Sequence, residues 1–116
     1  MERKRITGSK ILITGGAGNI GSHILDECIK LGASEIIVVD NFFNSDKKYL
    51  KDKNVKIYPI DISSLEEMDF VFSTHKPQLV FHCASMLIQD SEKLPRKSIN
   101  TNIMGTFNVI DLSNTV

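Results

Sequence analysis

The sequence predicts an α/β fold, half of a doubly wound parallel sheet of about four strands in the order 3-2-1-4, flanked by helices. Three observations lead there. Short apolar runs rich in Ile, Leu, Val and Phe alternate with segments of helical period, the pattern of β-α-β units. The first run, Lys10 to Thr14, leads straight into the spaced glycines Gly15, Gly18 and Gly21, with an amphipathic stretch behind them. The next run ends on an acid, Asp40, close to the spacing of about 20 residues that completes a dinucleotide-binding fingerprint.

Taken in order, the first strand is Lys10 to Thr14 and the second Glu35 to Val39. The third is Val55 to Ile60 and the fourth Gln78 to His82. The first, second and fourth are nearly continuous in large aliphatic and aromatic residues, as strands covered on both faces are. Between strands one and two, Ile20, Ile24, Leu25, Cys28 and Leu31 share one helical face, and Gly32 supplies the stop. A second helix starts at Ser63 or Ser64, carries Leu65, Met68, Phe70, Val71 and Phe72, and places Glu66 and Glu67 in its first turn, where the helix dipole favours acids. His75-Lys-Pro77 closes it, with His75 read as a loop residue. From about Lys97 to Ser113, Ile99, Ile103, Met104, Phe107, Ile110 and Leu112 recur at spacings that suit a helix packed on a sheet. Asn41 to Asn54 is polar and reads as a loop with one helical turn.

Composition excludes several classes. The 116 residues make one domain at most, and 41% hydrophobic with 24% charged residues is ordinary for a folded chain. Fourteen basic and fourteen acidic side chains cancel, so no global field recruits nucleic acid or a membrane surface, and the basic start Met1-Glu-Arg-Lys-Arg5 is a solvated terminus. Cys28 and Cys83 lack C-x-x-C spacing, and the three histidines share no metal-ligand pattern, so no zinc site or disulfide framework is implied. A reducing cytoplasm is the expected setting; no apolar run approaches the ~20 residues of a membrane span, and no signal-peptide core is present.

The candidate chemistry gathers at the strand ends. Gly15, Gly18 and Gly21, with the backbone of Asn19 and Ile20, are placed to line a pyrophosphate at a positive helix end. Asp40 is placed to accept hydrogen bonds from both ribose hydroxyls of an adenosine; its charge repels a 2′-phosphate, and no arginine follows closely, so NAD is favoured over NADP. Asp61, after strand three, is positioned for the adenine amino group while Ile62 packs on the base. Small residues in His82-Cys-Ala-Ser85 let the backbone approach the cofactor's ribose and nicotinamide side, and His82 itself reads as a packed strand-end histidine. Gly16-x-x-x-x-Gly21 continues as Ser22-His23 without the phosphate-binding lysine of a P-loop.

Five motifs then occur in one order: Thr14-Gly-Gly-Ala-Gly-Asn-Ile-Gly21, Asp40-Asn41 with Asn44-Ser45, Asp61-Ile62, His82-Cys-Ala-Ser85, and Asn102-Ile-Met-Gly-Thr-Phe-Asn108. On these the chain resembles the extended short-chain dehydrogenases, specifically the N-terminal part of an NAD-dependent sugar-nucleotide epimerase/dehydratase of the UDP-glucose 4-epimerase and UDP-glucuronate decarboxylase branch. The resemblance covers Lys10 to Val116 and implies a partial Rossmann fold. It implies that Asp40 and Asn41 hold the adenosine ribose with Asn44 and Ser45 nearby, and that Asp61 and Ile62 frame adenine. It further implies that Cys83, Ala84 and Ser85 run beside the cofactor and that Asn102 lies near the nicotinamide end. Leu87 stands where many 4-epimerases carry a lysine that touches the nicotinamide ribose.

The family's reaction moves a hydride between a sugar carbon and the nicotinamide, using a serine or threonine and a Tyr-x-x-x-Lys helix that follow a fifth strand. Those residues lie beyond the positions present here, so no catalytic residue is assigned. A literal Tyr49-Leu-Lys-Asp-Lys53 occurs between strands two and three, on the adenosine side, and is not expected to act. The expectation is an N-terminal tail over residues 1–9, an incomplete NAD-binding domain over 10–116, and no substrate domain. This is a fragment that binds NAD without turnover and meets a nucleotide sugar only in a full-length enzyme. An NAD-sensing or interaction module and one half of a split enzyme remain alternatives. The helix from Ile99 to Leu112 also leaves a homodimer open.

Overall fold

The computed structural model describes residues 5–115; the first four residues of the basic start and position 116 lie outside them. Four strands, β1 (Lys10–Thr14), β2 (Glu35–Val39), β3 (Lys56–Tyr58) and β4 (Leu79–His82), form one parallel sheet in the order β3-β2-β1-β4. The register sets Ile11 beside Ile36 and Leu79, and Thr14 beside Val39 and His82. Strand period then sorts the core into two layers. Leu12, Ile37 and Val39 join Met68, Val71, Phe72, Val109 and Leu112 on one face, while Ile11, Ile13, Ile36 and Val38 join Leu25, Cys28 and Leu50 on the other.

Helix α1 (Asn19–Lys30) covers the second face and α2 (Leu65–His75) the first. Gly32, at φ +80°, ends the α1 turn as the sequence predicts. The expected apolar faces need correction: Ile20, Leu31 and Leu65 are exposed because the first turn and the cap of a helix project past the sheet it covers, and Phe70, in the middle of α2, is exposed with its ring edge-on to Tyr58, centroids 6.5 Å apart. His75 is not a loop residue. It ends α2, is buried, and joins Glu35 through Nδ1 at 2.7 Å and the Tyr58 hydroxyl through Nε2 at 2.7 Å. Of the expected tail, Thr7 to Ser9 form a turn docked on the next loop. The Thr7 hydroxyl donates to the Leu31 carbonyl at 2.6 Å and Gly8 N–H to the Gly32 carbonyl at 2.9 Å.

After β4 come two short helices, α3 (Ile88–Lys93), which the sequence reading lacks, and α4 (Pro95–Ile99), which begins at Pro95, just before the helix expected from about Lys97. The chain continues through a π-helical stretch, Asn100–Gly105, into α5 (Thr106–Thr115). This segment is the largest departure from expectation. Ile99, Ile103, Met104, Phe107 and Ile110 are exposed, and the inward side is formed by Thr101, Gly105, Asn108, Val109 and Leu112. Periodicity shows that residues share a face, not what that face meets. Here Thr101, Gly105 and Asn108 keep the first half of the inward side small or polar, where the helix holds the strand-end loops, and Val109 and Leu112 join the core behind them. No described helix is long and apolar enough to cross a membrane.

Candidate functional site

The loops leaving the four strands enclose a cavity of about 410 Å³ at the C-terminal edge of the sheet. Each bank follows from local chemistry. Where β1 ends, Gly15 takes φ +69° and its N–H donates to the Val39 carbonyl at 2.8 Å. A Cβ there would lie 2.8 Å from the Ala84 nitrogen, so only glycine lets the β1 and β4 exits touch. At Gly21 a Cβ would fall 2.1 Å from the Gly15 carbonyl oxygen; α1 is thus seated directly on the turn. Gly18 stands before α1 with no side-chain cap, and no acid occupies the helix's first turn. Gly18, Asn19, Ile20 and Gly21 line the cavity, which therefore receives the unpaired N–H end of the helix.

The β2 exit is organised by Asp40, only 7% exposed. Its Oδ2 accepts from Ala17 N–H at 3.0 Å, and its Oδ1 accepts from Phe42 N–H at 2.8 Å and the Ser45 hydroxyl at 2.8 Å. These bonds hold Phe42 at φ +58°, an uncommon conformation for an aromatic residue, and fold Asn41, Phe43, Asn44 and Ser45 along the wall. After β3, Oδ1 of Asp61 accepts from the N–H of Ser63 at 2.9 Å and from its hydroxyl at 2.8 Å, while Ile60 and buried Ile62 provide an apolar surface.

The β4 exit hangs on Thr14. Its oxygen accepts from Cys83 N–H at 3.0 Å and Ala84 N–H at 3.2 Å, so its own O–H is left for His82 Nδ1 at 2.6 Å. That assigns the proton of the neutral ring to Nε2, which donates to the Thr106 hydroxyl at 2.8 Å. Burial pushes the His82 pKa down, consistent with a neutral ring. His82 is a tie between β1, β4 and α5, as its strand-end position suggests, and is not on the cavity wall. Burial pushes the Cys83 thiol up, so it lines the wall as a protonated, unreactive group.

All the predicted site residues except one meet at this cavity: Gly15, Gly18, Asn19, Ile20, Gly21, Asp40, Asn41, Asn44, Ser45, Asp61, Ile62, Cys83, Ala84 and Ser85 line it. Asn102 does not. Its Oδ1 accepts from Met86 N–H at 2.7 Å and its Nδ2 donates to the Met86 carbonyl at 3.2 Å, so the amide is spent on holding the wall. The rest of that motif does similar work: Asn108 Nδ2 donates to the Ile62 carbonyl at 3.0 Å, and a Cβ on Gly105 would lie 2.5 Å from the Ile62 side chain. Thr101, one position before Asn102, was missed. It lines the cavity at 6% exposure, and its Oγ1 is the buried side-chain polar atom without a hydrogen-bond partner among the described residues. Phe43, Met86 and Lys97 also line the cavity and carried no signal in the sequence beyond their neighbours; Leu87, marked in the sequence only by the lysine it stands in place of, lines it too.

Tyr49 and Lys53 are elsewhere. Tyr49 sits on the 3₁₀ turn Lys47–Leu50, and Lys53 Nζ pairs with Asp26 Oδ1 at 2.6 Å. A larger depression of about 860 Å³, lined by Asp69, Lys76, Pro77 and Gln78 among others, lies at the opposite edge of the sheet, where β4 begins and α2 ends. None of the strand-end residues reaches it.

The profile of the NAD dependent epimerase/dehydratase family matches residues 11–116. A UDP-glucose 4-epimerase of Dictyostelium discoideum is 36% identical over 110 residues, covering 89% of this chain and 32% of that protein. UDP-glucuronic acid decarboxylase 1 of Arabidopsis thaliana is 34% identical over 120 residues, covering 98% of this chain and 25% of that protein. Among solved structures, the Bordetella bronchiseptica enzyme WbmG in complex with NAD superposes with a TM-score of 0.86 at 26% identity, covering 94% of this chain and 34% of that one. The chain thus spans between 25% and 34% of the length of these relatives. With the parallel sheet, the glycine turn and a family profile that extends across nearly all of its length, this chain belongs to the NAD dependent epimerase/dehydratase family.

Proposed function

We propose that residues 10–116 form the NAD-binding portion of a nucleotide-sugar epimerase/dehydratase, and that this chain binds NAD without turning over a sugar. One observation carries the reading: an uncapped helix N-terminus, a carboxylate and apolar side chains wall a single cavity, and buried Thr101, whose Oγ1 is unpartnered among the described residues, stands beside them. An adenine dinucleotide fits each of these in kind. The N–H groups opening α1 suit its pyrophosphate. Asp40 retains acceptor capacity for ribose hydroxyls, and its charge opposes a 2′-phosphate, which supports NAD over NADP. Asp61, Ile60 and Ile62 suit an adenine edge and face, with Asn41, Asn44 and Ser45 beside the ribose. Cys83, Ala84, Ser85 and Thr101 run toward the nicotinamide half, and Asn102 contributes by holding Met86.

Bound NAD would supply the hydride acceptor. The chain's own residues bind and orient; none of those on the cavity wall is a tyrosine that could exchange a proton with a sugar hydroxyl. The nucleotide sugar belongs to a protein of the relatives' full length. Two features support further proposals: Cys28 and Cys83 are both free, which suits a reducing cytoplasm, and the exposed row Ile99, Ile103, Phe107 and Ile110 suits a homodimer contact.

Isothermal titration of NAD and NADP into the folded, monodisperse chain tests the reading. The expected result is saturable NAD binding, weaker NADP binding, and an NAD affinity about tenfold lower or worse in Asp40→Asn, which keeps the side chain's size but loses its charge. Folded wild-type protein that takes up no NAD would overturn it.

A further inference from the structure

The cavity is negative before any ligand enters. Asp40 and Asp61 stand on its wall, and Lys97 is the only lysine or arginine among the lining residues. A dinucleotide adds a negative charge on each phosphate. Against these the glycine turn offers backbone alone, worth about half an elementary charge at the start of a helix.

Lys97 is held in an unusual way. It lies in α4, on the bank opposite the β2 exit, and its ammonium sits 4.0 Å over the ring of Phe43. Beside this contact, Asn44 Nδ2 donates to Asp90 Oδ2 at 2.5 Å, so neighbouring residues of the same loop reach across to α3 and α4. The Lys97 side chain is half-buried and enters no ion pair or hydrogen bond among the described residues. An ammonium has three donors, and a ring face satisfies none of them as a strong acceptor does. The group is therefore positioned at the cavity with its donors unspent, on a flexible stem able to pivot.

We propose that Lys97 is the side-chain counter-charge for the pyrophosphate of the bound dinucleotide, turning from the Phe43 ring to the phosphates. This rests on the dinucleotide reading of the cavity. It adds a phosphate contact from α4, a segment that lies outside the glycine fingerprint. Its consequence is that the α3–α4 segment takes part in closing the cavity over cofactor.

The test titrates NAD, NADP, ADP-ribose and adenosine into wild type, Lys97→Gln and Lys97→Arg, at low and high salt, with adenosine followed by NMR. Thermal unfolding checks that each variant is folded. Lys97→Gln is expected to weaken NAD and ADP-ribose about tenfold or more at low salt and to flatten the salt dependence. Adenosine binding should be unchanged, and Lys97→Arg should restore most of the NAD affinity. Unchanged NAD binding by Lys97→Gln would overturn the proposal. So would an equal loss of adenosine, which would make Lys97 a prop for the Phe43 wall, or a loss confined to NADP, which would place it at a 2′-phosphate. A wild-type chain that binds none of the four ligands would instead sink the dinucleotide reading itself.

Discussion

Asn102 holds both backbone polar groups of Met86, accepting from its N–H at 2.7 Å and donating to its carbonyl at 3.2 Å. A side-chain amide used this way substitutes for a strand partner. The loop after β4 has left the sheet by then, and its backbone would otherwise be unpaired in a half-buried place. The π-helical turn that carries Asn102 also carries Thr101, so one local irregularity sets a clasp and adds a residue to the cavity wall.

Replacing Asn102 by Ala removes the clasp. The expected cost is about 1–3 kcal/mol of folding stability, together with weaker NAD binding because residues 83–87 are no longer fixed. Chemical denaturation and cofactor titration on the same variant measure both. A stable protein with unaltered NAD affinity would show that the loop is held by other means.

Thr101→Val separates binding from folding. The substitution keeps the shape and removes an oxygen that lacks a partner among the described residues, so stability should hold or rise. NAD affinity should fall about 3- to 10-fold. Undiminished affinity would mean that the hydroxyl does not touch cofactor.

Gly21→Ala and Gly18→Ala should differ sharply. The first places a methyl 2.1 Å from the Gly15 carbonyl oxygen, while the second meets only that same oxygen at 3.3 Å with an ordinary φ of −80°. The expected loss for Gly21→Ala is at or above the upper end of about 1–3 kcal/mol for overpacking, with far less for Gly18→Ala. Equal thermal midpoints for the two would contradict the packing argument.

His82 gives a pH dependence of definite sign. Burial lowers its pKa in the folded chain below the ordinary value of about 6.5, so as pH falls the unfolded chain takes up the proton first. Its neutral-ring contribution is present above about pH 6.5 and is lost as pH falls toward the folded pKa. Melting temperatures of wild type should therefore drop faster than those of His82→Gln between about pH 7.5 and 5.5. Parallel curves would remove His82 as the titrating group.

Sequence alone determined the sheet and most of the cavity wall, because both follow from short-range rules. Continuous apolar runs mark the strands, buried in β1 and β2 and half-buried in edge strand β4; glycine supplies the positive φ and close approach at the β1 turn; and an acid at the end of β2 stands at the sheet's C-terminal edge whatever surrounds it. Tertiary structure alone decided the segment after β4. The apolar period of Ile99, Ile103, Phe107 and Ile110 marks a real face, yet that face points away from the sheet. Asn102, Gly105, Thr106 and Asn108 take the inward side instead, where each makes a hydrogen bond or a close approach to a strand-end residue distant in sequence. Lys97 and Thr101 became visible for the same reason. A cation over a ring on the opposite bank and a hydroxyl without a partner are properties of what surrounds a residue, which periodicity and spacing do not encode.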